Sequence, residues 1–144
     1  MDNAREIIAL VKDVIADSGR KELVGNVPVL TTNAVCKQLG ITARTARFYG
    51  EVGIVTPQRR KTTRLFSPAQ IRRLQLARDL RGLGLDIKST IALLNRLDGS
   101  GSVQDKLSDV SERLSSHLED LAHRQKEVRQ QQDMSKSLIE ELGA

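Results

Sequence analysis

The sequence has a single cysteine, Cys36, no tryptophan, and only three aromatic residues, Phe48, Tyr49 and Phe66. One thiol excludes an intrachain disulfide framework and any CxxC metal or redox pair, and it points to a reducing, cytoplasmic setting. So few aromatics leave little material for a large aromatic-lined substrate pocket. Long hydrophobic runs are missing too: the longest aliphatic stretch is Ile7 to Val11, far below the roughly 18 residues that a membrane span needs. Asp2, Arg5, Glu6, Lys12 and Asp13 interrupt the N-terminal segment, so no secretory leader is expected. Histidine is limited to His117 and His123. Their six-residue separation puts them on different faces of a helix, unlike the four-residue spacing of a helical metal pair. The sequence has no phosphate-binding glycine loop and no pairing of nucleophile and base. Enzymatic activity therefore has no residues to rest on, and neither a metal nor another cofactor is expected.

What is present is an ordinary folding composition, 39% hydrophobic and 28% charged over 144 residues, which suits one domain or a small domain with an extension. The net charge of +5 conceals an asymmetry. Residues 1–43 are neutral, and residues 82–144 carry a small acidic surplus. Between them, Arg44, Arg47, Arg59, Arg60, Lys61, Arg64, Arg72, Arg73, Arg78 and Arg81 face only Glu51 and Asp79. Such a patch repels itself unless it meets an anion, and the commonest intracellular polyanion is nucleic acid. Charge alone leaves a solvated basic face equally open; the spacing of the residues decides.

The apolar residues Ile7, Ile8, Leu10, Val11, Val14 and Ile15 lie on a broad helical stripe, with Asp2 as a possible cap and Asp17-Ser18-Gly19 as the end, predicting a helix over about 3–17. Gly19, Gly25 and Pro28 punctuate a polar connection. Thr31 or Thr32 can cap a short helix with Ala34, Val35 and Leu39 inward, ended by Gly40. Thr42 caps a second helix of about 43–51 that ends at Gly53 and carries Arg44, Thr45 and Arg47 on its early turns. Two short helices across a glycine-centred turn form a helix-turn-helix, whose second helix meets base edges with its N-terminal part. Ile54 and Val55 begin an extended segment, Pro57 breaks it, Arg59 to Thr63 form a polar tip, and Arg64-Leu65-Phe66 resumes as strand: a hairpin wing beside the helix-turn-helix. Ser67-Pro68-Ala69-Gln70 supplies a cap, a first-turn proline and the glutamine of a capping box. The helix it starts runs to about Arg81, with Ile71, Leu74, Ala77 or Arg78, and Leu80 on its buried edge. Asp86 caps another helix bearing Ile87, Ile91, Leu94 and Leu97, and Asp98 to Ser102 is a linker or tight bend.

From Val103 no proline or glycine occurs until Gly143, which predicts one long helix. Leu107, Leu114, Leu121, Val128, Ser135 and Leu142 recur every seven residues, with Leu118, Gln125, Gln132 and Ile139 as the companion row. A narrow apolar seam cannot bury itself, so a partner is implied; the other reading is a single amphipathic helix folded back on the head.

At Ile41-Thr42-Ala43-Arg44-Thr45-Ala46-Arg47-Phe48-Tyr49 and Gly53-Ile54-Val55-Thr56-Pro57 the chain resembles the MerR family of bacterial transcriptional regulators. The likeness continues through Arg59-Arg60, Arg64-Leu65-Phe66-Ser67, Arg72-Arg73 and Leu83-Gly84-Leu85-Asp86-Ile87, and covers about residues 29–97. The resemblance implies a mainly α protein with a winged helix-turn-helix head and a long dimerisation helix in an antiparallel coiled coil. It further implies a homodimer on a near-palindromic promoter element of double-stranded DNA, whose overlong spacer it distorts so that RNA polymerase can engage. Where family members carry an acidic residue after the tyrosine, Gly50 stands here, and Lys61-Thr62-Thr63-Arg64 replaces an asparagine-glycine wing turn. Metal-sensing members place cysteines near the end of the dimerisation helix, but none follows Cys36 here.

The expected domains are an N-terminal helical extension and linker (1–28), the winged helix-turn-helix (29–98) and the coiled-coil helix (103–142). Arg44, on the first turn of the recognition helix, can reach guanine O6 and N7. Arg47, Tyr49, Arg59, Arg60 and Arg64 suit phosphate contacts, with Thr42, Thr45 and Lys61 completing the expected DNA face. The alternative for Tyr49 is packing against the wing, Lys61 is as readily an ordinary wing-tip charge, and Phe66, Ile71 and Cys36 belong in the core. Dimerisation is expected through Leu107, Leu114, Leu118, Leu121, Val128, Ile139 and Leu142. The alternative function is a coiled-coil interaction or nucleoid-associated protein with an accessory basic head. No membrane partner is expected, and the sequence names no small-molecule effector.

Overall fold

The computed structural model describes residues 2–19 and 29–143; the polar connection expected over 20–28 lies outside them. Contacts divide the chain into a compact unit of residues 1–106 and a second unit from residue 107 onward. No described helix is long and apolar enough to cross a membrane.

The first unit opens with α1 (Asp2–Ser18), which takes in Asp2 as its first residue where a cap was expected. It packs against α4 (Pro68–Gly82) and α5 (Ile87–Asp98), described below. Leu10, Val11, Val14 and Ile15 are buried, whereas Ile8, counted in the same stripe from the sequence, is 51% exposed. Asp17 then takes a bidentate bond from Arg72, Nε at 2.6 Å and Nη2 at 2.8 Å, fixing the end of α1 to the middle of α4. The N-terminal helix is therefore part of the head's core, a contact for which its apolar stripe alone named no partner.

β1 (Leu30–Thr31) leads into α2 (Thr32–Leu39), whose cap is Thr31: its hydroxyl accepts the Ala34 N–H. Gly40 ends α2 at φ +69°, a left-handed conformation that costs a residue without Cβ nothing, and the Ile41 N–H turns back to the Cys36 carbonyl. Thr42 caps α3 (Ala43–Glu51) by accepting the Thr45 N–H at 3.0 Å. These two helices and the turn between them are the expected helix-turn-helix.

The wing differs from its sequence reading. Ile54 and Val55 are buried but form no strand, because both of their N–H groups turn back to the Tyr49 carbonyl at the end of α3. The hairpin lies further along, between β2 (Gln58–Arg60) and β3 (Thr63–Phe66), so Arg59 and Arg60, expected in the tip, are paired strand residues. The turn is only Lys61-Thr62, with Lys61 at φ +60°. A two-residue hairpin needs such a positive φ, which asparagine or glycine adopts more readily than lysine. β1 adds to the other edge of β3, giving a three-stranded antiparallel sheet in the order β1-β3-β2. Two residues are too short a segment for any periodicity to announce.

α4 carries the cap and proline expected of it: Ser67 accepts the Gln70 N–H, and Pro68 occupies the first turn. Gln70 does not close a capping box. Its side-chain oxygen takes the Thr56 N–H at 2.7 Å, stitching the α3–β2 loop to α4. Packed against α1, α5 and β3, α4 buries Ala69, Leu74, Leu76, Ala77 and Leu80, more than a single edge, while Ile71 is only half-buried. α5 buries Thr90, Leu93, Leu94 and Leu97 and leaves Ile87 and Ile91 half-buried. The polar Thr90 is tolerated there because its hydroxyl donates to the Asp86 carbonyl at 2.8 Å. α6 (Val103–Gly143) is one uninterrupted helix of 41 residues. Its first turn belongs to the head, where Lys106 is buried and its Nζ donates to the Leu97 carbonyl at 2.8 Å.

Candidate nucleic-acid interface

Burial sorts the side chains of α3. Ala46 and Tyr49, three apart, face inward, which turns Arg44, Arg47, Phe48 and Glu51 outward. Tyr49 is the departure from the expected DNA face: at 5% exposure its ring belongs to the core, and its carbonyl holds the following loop. Thr42 and Thr45 bond one another through their hydroxyls at 2.8 Å, so both are engaged in capping the helix.

On the wing, Arg59 and Arg64 are direct cross-strand partners and share one face of the hairpin. Like charges placed opposite one another destabilise a sheet by their repulsion, which an anion between them relieves. Arg60 pairs with Thr63 and lies on the other face, and Lys61 sits in the turn. Arg59 and Arg64, with Thr62 and Thr63 of the same hairpin, line one side of a groove of about 580 Å³, shared with Arg47 and Ala43 of α3 and with residues 31–33 at the start of α2. The structure thus gathers Arg47, Arg59 and Arg64 around one groove, while Arg44, Arg60 and Lys61 lie outside its lining. Thr31, Thr32 and Asn33 were not among the expected site residues. Their only local signal was capping, and their place in the groove depends on β1 pairing with β3.

The basic residues between 44 and 81 divide into two groups by what they bond. Arg72 holds Asp17. Arg73 donates to the Ile54 carbonyl at 2.7 Å and pairs with Asp98 at 2.7 Å. Arg78 donates to the Leu39 carbonyl and pairs with Asp79, and Arg81 donates to the Leu85 carbonyl. The cations of α4 thereby tie the head together. Among the described residues, Arg44, Arg47, Arg59, Arg60 and Arg64 have no carboxylate partner. Within residues 44–81, the guanidinium groups bonded neither to a carboxylate nor to a backbone carbonyl therefore lie on α3 and the wing.

Neither the cysteine nor the histidines line this groove. Burial pushes the Cys36 thiol above its ordinary pKa, keeping it protonated inside α2. His123 lies 3.2 Å from Glu127, its i+4 neighbour on α6.

Comparison with known proteins agrees with this arrangement. Residues 30–97 match the family described as MerR HTH family regulatory protein. The chain is 25% identical over 124 residues to an HTH-type transcriptional regulator, a ZntR homolog, from Haemophilus influenzae, covering 76% of this chain and 92% of that protein. Among solved structures it resembles HiNmlR, a MerR family regulator lacking the sensor domain and bound to promoter DNA. That likeness has a TM-score of 0.54 at 21% identity, over 70% of this chain and 79% of the other. A Listeria monocytogenes protein assigned to the MerR family of transcriptional regulators gives the same TM-score, 0.54, at 20% identity over the same shares. Together with the helix-turn-helix and wing described above, the match identifies residues 30–97 as a MerR-type helix-turn-helix regulatory domain.

Proposed function

We propose that the chain binds a near-palindromic promoter element as a homodimer. Each α3 enters a major groove, and each wing rests on the neighbouring backbone. The observation that carries this reading is the division of the arginines: those of α4 are spent on internal bonds, and those of α3 and the wing are not. In this reading Arg44 reads a guanine, while Arg47, Arg59, Arg60, Lys61 and Arg64 hold phosphates, and Thr42 and Thr45 present the helix N-terminus. Tyr49 serves the head by packing. The winged helix-turn-helix of 29–98, with the 1–28 extension packed on it through α1, delivers this surface. The seam of α6 over 103–142 joins two copies as an antiparallel coiled coil through Leu107, Leu114, Leu118, Leu121, Val128, Ile139 and Leu142. The solved relative HiNmlR is described as bound to promoter DNA without a sensor domain, which supports a DNA partner for a chain built this way. Distortion of the promoter spacer in favour of RNA polymerase is the mode of action that the MerR-type domain suggests.

The test is a titration of DNA from upstream of the chain's own gene across a range of salt. Arg44→Ala should cost about 1–3 kcal/mol at one base pair. Arg64→Ala should weaken binding on every sequence and reduce the salt slope by about 1. Unchanged affinity in both variants would refute the reading face. A selection from random duplexes that returns no inverted repeat would instead move the function to a coiled-coil interaction or nucleoid-associated protein.

A further inference from the structure

Of the three aromatic side chains, two are core: Phe66 at 1% exposure, and Tyr49. Phe48 is 42% exposed, on the outward side of α3. It follows Arg44 by four residues, which on an α-helix means roughly 40° around the axis and about 6 Å along it, the same outward side one turn later. A large apolar ring on a surface of unpartnered guanidinium groups gains nothing from water or from phosphate, since it has neither charge nor hydrogen-bonding atoms. Its ring centroid lies 6.2 Å from that of Tyr49, with the planes tilted by 43°. The buried neighbour thus backs Phe48 and limits the positions it can adopt.

Given the reading that α3 lies in the major groove, we propose that Phe48 is a specificity-determining residue that recognises the 5-methyl group of a thymine by apolar contact. The major groove offers one apolar feature on a base edge, that methyl, and phenylalanine is among the side chains that suit it. The 6 Å advance from Arg44 corresponds to about two base-pair steps. The methyl read by Phe48 therefore lies within two base pairs of the guanine read by Arg44. Arginine and phenylalanine one turn apart then read a guanine and a thymine as a pair, one through a charged fork and the other through shape.

The experiment uses the full-length chain and the duplex it selects from a randomised pool, with each thymine replaced in turn by deoxyuridine, which lacks only the methyl. Affinity should fall roughly three- to fivefold, the scale of one buried methyl group, at one position per half-site within two base pairs of the guanine. Phe48→Ala should bind more weakly and be indifferent to that replacement, and its own selected sequence should lose the thymine while keeping the guanine. Phe48→Leu should keep part of the discrimination. A wild-type deoxyuridine scan that is flat on a well-defined consensus overturns this proposal alone and leaves the ring packed on sugar. That measurement needs no variant to fold. Retained discrimination in a folded Phe48→Ala also overturns it. A selection that yields no consensus overturns this proposal together with the regulatory reading on which it rests.

Discussion

Arginine performs two jobs in this chain, and what separates them is the acceptor within reach of each guanidinium. Arg72 meets the carboxylate of Asp17, of which little is exposed, in a planar two-point bond. Replacing Arg72 with alanine leaves that carboxylate poorly solvated, and with the arginine a third exposed the cost is about 1–2 kcal/mol of stability. Urea unfolding followed by circular dichroism should register this loss, while the salt slope of DNA binding stays as it was. Arg47→Ala should do the reverse, because no acidic group among the described residues depends on it. Cys36 gives a second prediction. Its thiol is raised in pKa by burial, so the neutral form is the one favoured by folding. That contribution is complete below the unfolded thiol's pKa of about 8.5 and is lost as pH rises through the higher folded value. Iodoacetamide at pH 8 should therefore alkylate the native chain far more slowly than the urea-unfolded chain. Equal rates would mean that the thiol is accessible.

At the level of elements, the helix starts were the most legible part of the fold, because a cap is a local bond. Thr42, Ser67 and Asp86 each accept the N–H three residues on, as their position before an apolar run predicts. The Asp86 carboxyl is held below its usual pKa, chiefly by the Ser89 N–H. Its support for α5 is thus present at neutral pH and fades as acid takes the solution down through that lowered value. Features that depend on distant partners were not legible. Gln70 looked like a capping-box residue but answers Thr56, fourteen positions back. The strand at Gln58–Arg60 was hidden by its charge, and β1 by its length. In the site, the basic stretch could be read but its division could not, since Asp17 and Asp98 reach α4 only through tertiary packing. The stripe on α1 announced burial without naming α4 and α5. Leu10→Ala should accordingly cost roughly 2–5 kcal/mol, like Leu74→Ala in the centre of α4. Both should lower one shared thermal transition; a separate early transition for the α1 variant would make the N-terminal helix an appendage.

At the scale of the whole molecule, the outstanding demand is the surface of α6. Leu118, Val128, Ile139 and Leu142 are each at least half exposed, and Leu121 is 38% exposed. They fall on the seven-residue rows read from the sequence, an arrangement that a second helix covers and that water does not favour. Gln125, Gln132 and Ser135 interrupt those rows, so in the proposed dimer the apolar residues flanking them would carry the association. Placing glutamate at both Leu121 and Val128 would put two charges into the seam of each protomer of the proposed dimer, and burying unpaired charges there opposes association. Sedimentation equilibrium should then give the monomer mass. The thermal transition of the head should be unchanged, since neither residue belongs to the unit of residues 1–106. The consequence for DNA follows from linkage. Two half-sites engaged by a joined pair of heads gain roughly 10²- to 10⁴-fold over one head alone, so the variant should lose that factor on an inverted repeat. It should still bind a single half-site weakly and still respond to Arg44→Ala. A variant that remains dimeric would show that the seam is not the joint. One that becomes monomeric yet keeps full affinity would show that a single head is the functional unit.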